Sequence, residues 1–279
     1  MSLFIDKISD TDLLELANNY AKLVKNINVE KFCTLAKQAE KYYNNSKYER
    51  NELRFLQSLE ERWYESLKKN KPDYSIYDEK YYVADLWACW KIYSRKYLKT
   101  ICKSNSLGAK SILADLDNIS ICVDLGCGLS YSTATLKELF PSAQVYGTNL
   151  KSSPQFLFNR QLGQKYKFSI IENVHKINKN IDLIFASEYF EHFQNPIEHL
   201  DIILSKNPKY LIIANAFGSK SIGHFDIYYH GNKKIENKKM GRYFNDYLRF
   251  KGFILQKTKC WNNRPAYWKF NDNTKIGLF

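Results

Sequence analysis

The chain has 279 residues, enough for one large domain with an appendage or for two small ones, and its 44% hydrophobic, 25% charged composition excludes a disordered polymer. No run approaches the ~18 apolar residues of a membrane helix, and "MSLFIDKISDTDLLEL" lacks the basic region, apolar core and cleavage site of a leader, so a cytoplasmic protein without membrane insertion is expected. The net charge of +13 is uneven: residues 1–110 carry 20 basic and 15 acidic side chains, residues 111–205 carry 7 and 10, and residues 206–279 carry 15 and 4.

Residues 1–104 predict a helical extension. "SDTDLLELANNYAKLVKNI" opens on the cap candidates Ser9 and Asp10 and spaces Leu13, Leu16, Ala17, Tyr20 and Val24 helically. "NVEKFCTLAKQAEKYYNN" repeats the pattern with Phe32, Leu35, Ala36 and Ala39. A third helix starts from a capping box, Ser46 and Glu49, and aligns Leu53, Leu56, Trp63 and Leu67. Pro72 breaks the chain before "DEKYYVADLWACWKIYSRKYLKTI", which is apolar on most sides and reads as a helix buried between two layers.

Residues 105–279 change character. The short apolar runs "ISICVDLG", "AQVYGTNL", "YKFSIIE", "IDLIFASE" and "YLIIANAFG" alternate with helix-compatible "STATLKELF", "SPQFLFNRQLG" and "PIEHLDIILSK". Nearly continuous apolar strands separated by helices predict an α/β fold with a mostly parallel sheet covered on both faces. "GFILQKTKC" and "PAYWKFN" predict an antiparallel closing pair. Six scattered cysteines form no C-x-x-C pair and five histidines form no H-x-x-x-H or H-E-x-x-H pattern, so spacing predicts no metal site.

"VDLGCGLSYST" supplies the strand, glycine turn and helix that hold a ligand at the carboxyl edge of a parallel sheet. A dinucleotide fingerprint needs G-x-G-x-x-G, and Tyr131 occupies its third glycine position after Gly126 and Gly128. Asp124, aimed into the turn, would repel a pyrophosphate but suits an ammonium. S-adenosylmethionine carries an amino group, a carboxylate and a sulfonium, and no phosphate.

These residues resemble a known family. "VDLGCGLSYS" is similar to the first motif of class I S-adenosylmethionine-dependent methyltransferases, and "IDLIFASEYFEHFQNP" resembles the fourth-strand motif of the branch acting on small molecules and some tRNA positions. The likeness spans roughly residues 85–270 and implies a Rossmann-like methyltransferase sheet with S-adenosyl-L-methionine as cofactor. It places Asp124, Gly126, Cys127 and Gly128 along the methionyl and ribose pocket. Asn149 falls where the family usually offers an acidic residue to the ribose, which removes a charge-assisted hydrogen bond. Glu172 and Asn173 fall at the adenine position, with a solvated loop as the alternative for Glu172. Glu188 falls where cofactor meets acceptor. Arg95 is expected to reach the methionyl carboxylate and Tyr77 or Tyr81 to shield the sulfonium, against a helix that only packs its aromatics into the core.

The cofactor carries the activated methyl, so the protein must orient a nucleophile and receive its proton. His192, with Glu191 beside it, is the candidate base; the other reading is a helix-start histidine that packs or caps. His224 lies on a loop expected to overhang the same mouth, with Asp226, Tyr228 and Tyr229 as a substrate wall or as plain surface. The fourth strand lacks the Asp/Asn-Pro-Pro-aromatic segment of base-amino methylation, and no Pro-Cys pair for cytosine methylation occurs. The expected acceptor is an oxygen or nitrogen of a small molecule. An RNA acceptor engaging the basic C-terminal quarter, and an inactive scaffold marked by Asn149 and Ser130, stay open.

Overall fold

The computed structural model describes residues 4–44, 54–102, 111–116, 118–256 and 264–271. Helices α1 (Phe4–Lys7), α2 (Asp10–Leu23), α3 (Val29–Asn44), α4 (Arg54–Lys68), α5 (Tyr82–Cys89) and α6 (Arg95–Cys102) make up the N-terminal part. Asp12 caps α2 by accepting from the Ser9 N–H (2.6 Å). The predicted capping box of the third helix, Ser46 and Glu49, and Leu53 lie outside the described residues. The predicted long aromatic helix is α5 and α6 joined through a π-helical turn, Trp90–Ser94.

The remaining elements are α7 (Ile112–Asp115), β1 (Ile121–Leu125), α8 (Tyr131–Leu139), β2 (Gln144–Thr148), α9 (Pro154–Tyr166), β3 (Ser169–Ile171), β4 (Leu183–Ser187), α10 (Pro196–Leu204), β5 (Tyr210–Ala214), β6 (Ile227–His230), β7 (Lys233–Glu236), α11 (Asn237–Phe250), β8 (Phe253–Gln256) and β9 (Ala266–Phe270). Seven strands form one sheet in the order β3-β2-β1-β4-β5-β9-β8. β1 to β5 pair in parallel, and β9 runs antiparallel to both β5 and β8. This is the Rossmann-like, mostly parallel sheet with an antiparallel closing strand. β6 and β7 form a separate hairpin, and the segment read from sequence as a loop past His224 opens it.

Successive side chains of a strand face opposite sides, and the sheet separates two cores accordingly. Cys122, Leu183, Phe185 and Ile212 face α2, α8 and α9; Val123, Leu125, Ile184 and Leu211 face α4, α10 and α11. α5 contributes to both, with Val83 and Trp87 in the first core and Tyr82 and Ala88 in the second. The helical part therefore shares its cores with the sheet, and the expected boundary at residues 104/105 falls outside the described residues. Strand order reverses between β1 and β4, which puts the ligand-binding crevice at their carboxyl ends.

Candidate functional site

β1 leads directly into the glycine turn. Gly126 (φ 58°), Gly128 (φ 51°) and Ser130 (φ 62°) all adopt left-handed backbone, which lets the chain leave the strand, reverse and enter α8. Glycine does this without a Cβ penalty, whereas Ser130 does it as a non-glycine. The Gly126 N–H donates to Thr148 Oγ1 (2.9 Å) and the Cys127 N–H to the Thr148 carbonyl (3.0 Å). Asn149 Nδ2 (3.2 Å) and Asn159 Nδ2 (2.9 Å) both donate to the Gly128 carbonyl. The turn is thus fixed from β2 and α9. A Cβ at Gly126 would lie 2.4 Å from Tyr189 Cδ2, while at Gly128 it would meet nothing within 4 Å. The Tyr189 ring fills the space a side chain at Gly126 would need, whereas at Gly128 that space is open.

The side chains of three predicted cofactor contacts are engaged elsewhere. Asp124 is only 1% exposed, and its Oδ2 accepts from Ser132 Oγ (2.6 Å) and Thr133 Oγ1 (2.7 Å). It buttresses the turn against α8 instead of facing its mouth, because alternation along β1 sends its side chain to the α8 side. Burial outweighs the two hydroxyl donors and pushes its carboxyl up to about 7. Cys127 is buried too: its Sγ lies 3.2 Å from Ser130 Oγ, and a Cβ on Gly147 would stand 2.9 Å from that sulfur. Only the backbone of Cys127 is left for a ligand. Tyr81 accepts the Asn28 N–H (3.1 Å) and packs between Lys31 and Lys80, within the N-terminal helices.

The other candidates occupy strand ends. Asn149 follows β2 and accepts the Leu150 N–H on its own Oδ1 (2.8 Å). Glu172, just past β3, pairs with Lys151 (3.3 Å) in an exposed contact, and Asn173 accepts the His175 N–H (3.1 Å) to start a short 3-10 turn. Arg95 follows the π-helical turn, between Ser94, whose hydroxyl meets Ser187 (2.9 Å), and Tyr97, whose hydroxyl donates to Glu188 Oε1 (2.8 Å). Arg95 Nε is buried and has no hydrogen-bond partner among the described residues.

Opposite the turn, the segment after β4 gathers the catalytic candidates. Glu188 is left-handed (φ 51°), and its N–H donates to the Ala214 carbonyl (2.7 Å). Glu191 is fully buried; its Oε1 accepts the Ala216 N–H (2.7 Å), its side chain meets the Glu188 carboxyl, and Oε2 finds no other donor among the described residues. Burial raises both carboxyls, and their mutual repulsion raises Glu191 further. His192 Nδ1 lies 3.0 Å from Tyr77 Oη, and burial pushes the ring down to about 3, so it is neutral. His224, 4% exposed, sets Nδ1 3.1 Å from the Ser219 carbonyl and stands 5.0 Å, ring to ring, from His192. Burial likewise pushes it down to about 4. One ligand atom from each of Glu191, His192 and His224 lies within 4.8 Å of the others, a grouping that sequence spacing alone did not predict.

The wall expected beyond His224 is divided. Tyr228 is buried and donates to the Glu191 carbonyl (3.0 Å), so it supports the cluster from behind. Asp226 and Tyr229 line a groove shared with Tyr64 and Lys220. Gly223 (φ 80°) can only be glycine, since a Cβ there would lie 2.0 Å from Tyr77 Oη and 2.4 Å from His192 Nδ1. Sequence reasoning missed Thr148, Asn159 and Tyr189, whose roles appear only once β2, α9 and the β4 loop converge. Among the described residues, no helix is long and apolar enough to cross a membrane.

No family model matches the chain, and no curated protein is detectably similar to it. Among solved structures it is similar to mitomycin 7-O-methyltransferase MmcR, with 10% identity and a TM-score of 0.41 over 68% of this chain and 56% of that one. It is similar to a SAM-dependent methyltransferase from Aquifex aeolicus, with 15% identity and a TM-score of 0.37 over 56% of this chain and 84% of that one. With the bifunctional kinase-methyltransferase WbdD it shares 17% identity and a TM-score of 0.31, spanning 38% of this chain but only 26% of that protein's length. Similarity at this level concerns backbone architecture and says nothing of substrate.

Proposed function

We propose that the chain is an S-adenosylmethionine-dependent methyltransferase acting on an oxygen or nitrogen of a small-molecule acceptor. The observation that carries this reading is the packing of Tyr189 on Gly126, which sets the glycine turn beside the Glu188–His192 segment at the strand-order reversal. The open face of Gly128, and Arg95 Nε, which has no hydrogen-bond partner among the described residues, fit a nucleoside bearing a carboxylate. Backbone of Gly126, Cys127 and Gly128 would hold its methionyl and ribose parts, Asn149 the ribose, Glu172 and Asn173 the adenine, and Arg95 the carboxylate. Asp124 acts from behind, by fixing the turn.

When bound, the cofactor supplies a methyl group on a cationic sulfur, open to in-line attack. The protein's share is to align the nucleophile and take its proton. By position His192 would take that proton at Nε2, which forms no hydrogen bond among the described residues, but burial pushes the ring down to about 3 and makes it a weak base, so Glu191 beside it is the second candidate. Titration calorimetry with S-adenosylmethionine and S-adenosylhomocysteine tests the reading. Micromolar binding of both is expected; no heat from either, with folded protein, would end it.

A second reading is favoured by α11 and the β6–β7 hairpin, in which Lys233, Lys234, Lys238 and Arg242 are exposed. An RNA acceptor would use it, and binding would then fall steeply with salt. Absence of RNA binding at low salt removes this second reading and leaves the first.

A further inference from the structure

The grouping of Glu191, His192 and His224 has the composition of a metal site, and sequence spacing hides it because 32 residues separate the two histidines. We propose that these three side chains bind one divalent transition-metal ion. Imidazole nitrogens with a carboxylate suit zinc, manganese or cobalt. The inference concerns the mouth assigned above to the acceptor, but it does not rest on the cofactor reading.

Three observations support it beyond proximity. Glu191 meets the Glu188 carboxyl, and its Oε2 finds no other donor among the described residues, so a cation there would relieve a buried pair of carboxyls. The other Glu191 oxygen is held by the Ala216 N–H, so the side chain is fixed in orientation. Both histidines also have Nδ1 engaged, His192 by the Tyr77 hydroxyl and His224 by the Ser219 carbonyl. Neither Nε2 forms a hydrogen bond among the described residues. The Ser219 carbonyl can only accept, so His224 carries its proton on Nδ1 and presents a lone pair at Nε2, the arrangement that outer partners impose on metal-binding histidines; His192 does the same in the tautomer whose Nδ1 donates to Tyr77 Oη.

The spacing is open but closable. Bonds of about 2.1 Å in a tetrahedron put ligand atoms roughly 3.4 Å apart, so a separation of up to 4.8 Å requires them to close by about 1 Å or more. With Glu191 held by the Ala216 N–H, that closure would have to come from the two imidazoles. Three protein ligands leave further positions open, where an acceptor hydroxyl could coordinate and release its proton more readily.

The test uses the full chain, stripped with a chelator, dialysed and refilled separately with Zn2+, Mn2+, Co2+ and Mg2+. The expected result is close to one transition-metal ion per chain, a raised thermal midpoint, and visible absorption from bound Co2+. Glu191→Gln, which keeps an acceptor for the Ala216 N–H, and His224→Ala, which keeps its backbone carbonyl, should each weaken Co2+ binding at least tenfold. His175→Ala, on an exposed turn, should leave it unchanged. Circular dichroism identifies any variant that fails to fold, and the Co2+ spectrum of the unsubstituted chain needs no variant. No ion retained by the refilled chain, or Co2+ binding unaltered in folded Glu191→Gln and His224→Ala, overturns the proposal. Because every readout is ion binding, failure here leaves the methyltransferase reading standing, and absence of cofactor heat leaves this one standing.

Discussion

Asp124 offers the sharpest quantitative test of how the glycine turn is built. Its carboxyl, ordinarily near 3.8, is pushed up to about 7 because the side chain is buried and two hydroxyl donors do not fully replace water. Between those values the folded chain keeps a proton that the unfolded chain releases. The unfolded state therefore binds fewer protons, and stability falls as pH rises through this window. A displacement of about three pKa units corresponds to about 4 kcal/mol lost by pH 8 relative to pH 4. Asp124→Asn removes the titration while its amide oxygen can still accept from Ser132 and Thr133. Urea unfolding of both proteins at pH 4, 5, 6, 7 and 8 provides the measurement. Relative to the unsubstituted chain, the variant should gain about 4 kcal/mol across the series. Asp85, pushed up to about 6 by burial, gives a slope of the same sign in both proteins, so the difference curve isolates Asp124. A flat difference between pH 4 and 8 would refute the claim that Asp124 is dehydrated behind the turn.

Gly126→Ala should destabilise by about 2–4 kcal/mol, from left-handed strain plus displacement of the Tyr189 ring, whereas Gly128→Ala should cost only about 1 kcal/mol. Urea midpoints separate the two, and equal losses would contradict the difference in side-chain space between the two positions. Trp63→Ala should lose about 3–5 kcal/mol, because the indole is fully buried and its N–H donates to the His224 carbonyl (2.6 Å). Trp63→Phe keeps the contact with Phe225 and should lose about 1–2 kcal/mol by the same assay. Arg95→Ala should weaken S-adenosylhomocysteine binding about tenfold or more by calorimetry, the scale of one hydrogen bond to a charged group; unchanged affinity would remove Arg95 from the cofactor site.

The parallel sheet was legible because its strands are buried on both faces and appear as uninterrupted apolar runs, as "ICVDL" and "YLIIA" do. The glycine turn was legible because few residues other than glycine adopt its backbone. The direction of the neighbouring side chains was not: whether Asp124 and Cys127 face a ligand or α8 depends on Ser132, Thr133 and Gly147, which fold against them from later in the chain. α11 escaped notice although Met240, Phe244, Tyr247 and Leu248 follow helical spacing, because the lysines around them dominate the composition. Tyr131, which argued against a dinucleotide by occupying a glycine position, has a second role that sequence could not show. Its ring packs against Trp87 (5.8 Å) and Trp90 (5.0 Å) and locks the helical part onto α8.

That last contact bears on what the N-terminal helices do. A detachable cover would touch the sheet through a thin, polar surface. Here Val83, Trp87, Leu98 and Ile101 are at most 1% exposed in the same core as β1, β4 and β5, and α4 closes the opposite core with Trp63. The same helices also supply the polar partners of the candidate site. Tyr77 engages His192, Ser94 meets Ser187, Tyr97 donates to Glu188, and Trp63 holds the His224 backbone. Each bond runs from the helical part to a residue at or beyond the end of β4 or β5, so the positions of the two candidate histidines are set from outside the sheet that carries them. A fragment beginning at residue 105 would lose both the apolar cover of its two faces and the donors that orient its carboxylates and imidazoles. The helical part is thus a wall of the candidate site and a layer of the core at once.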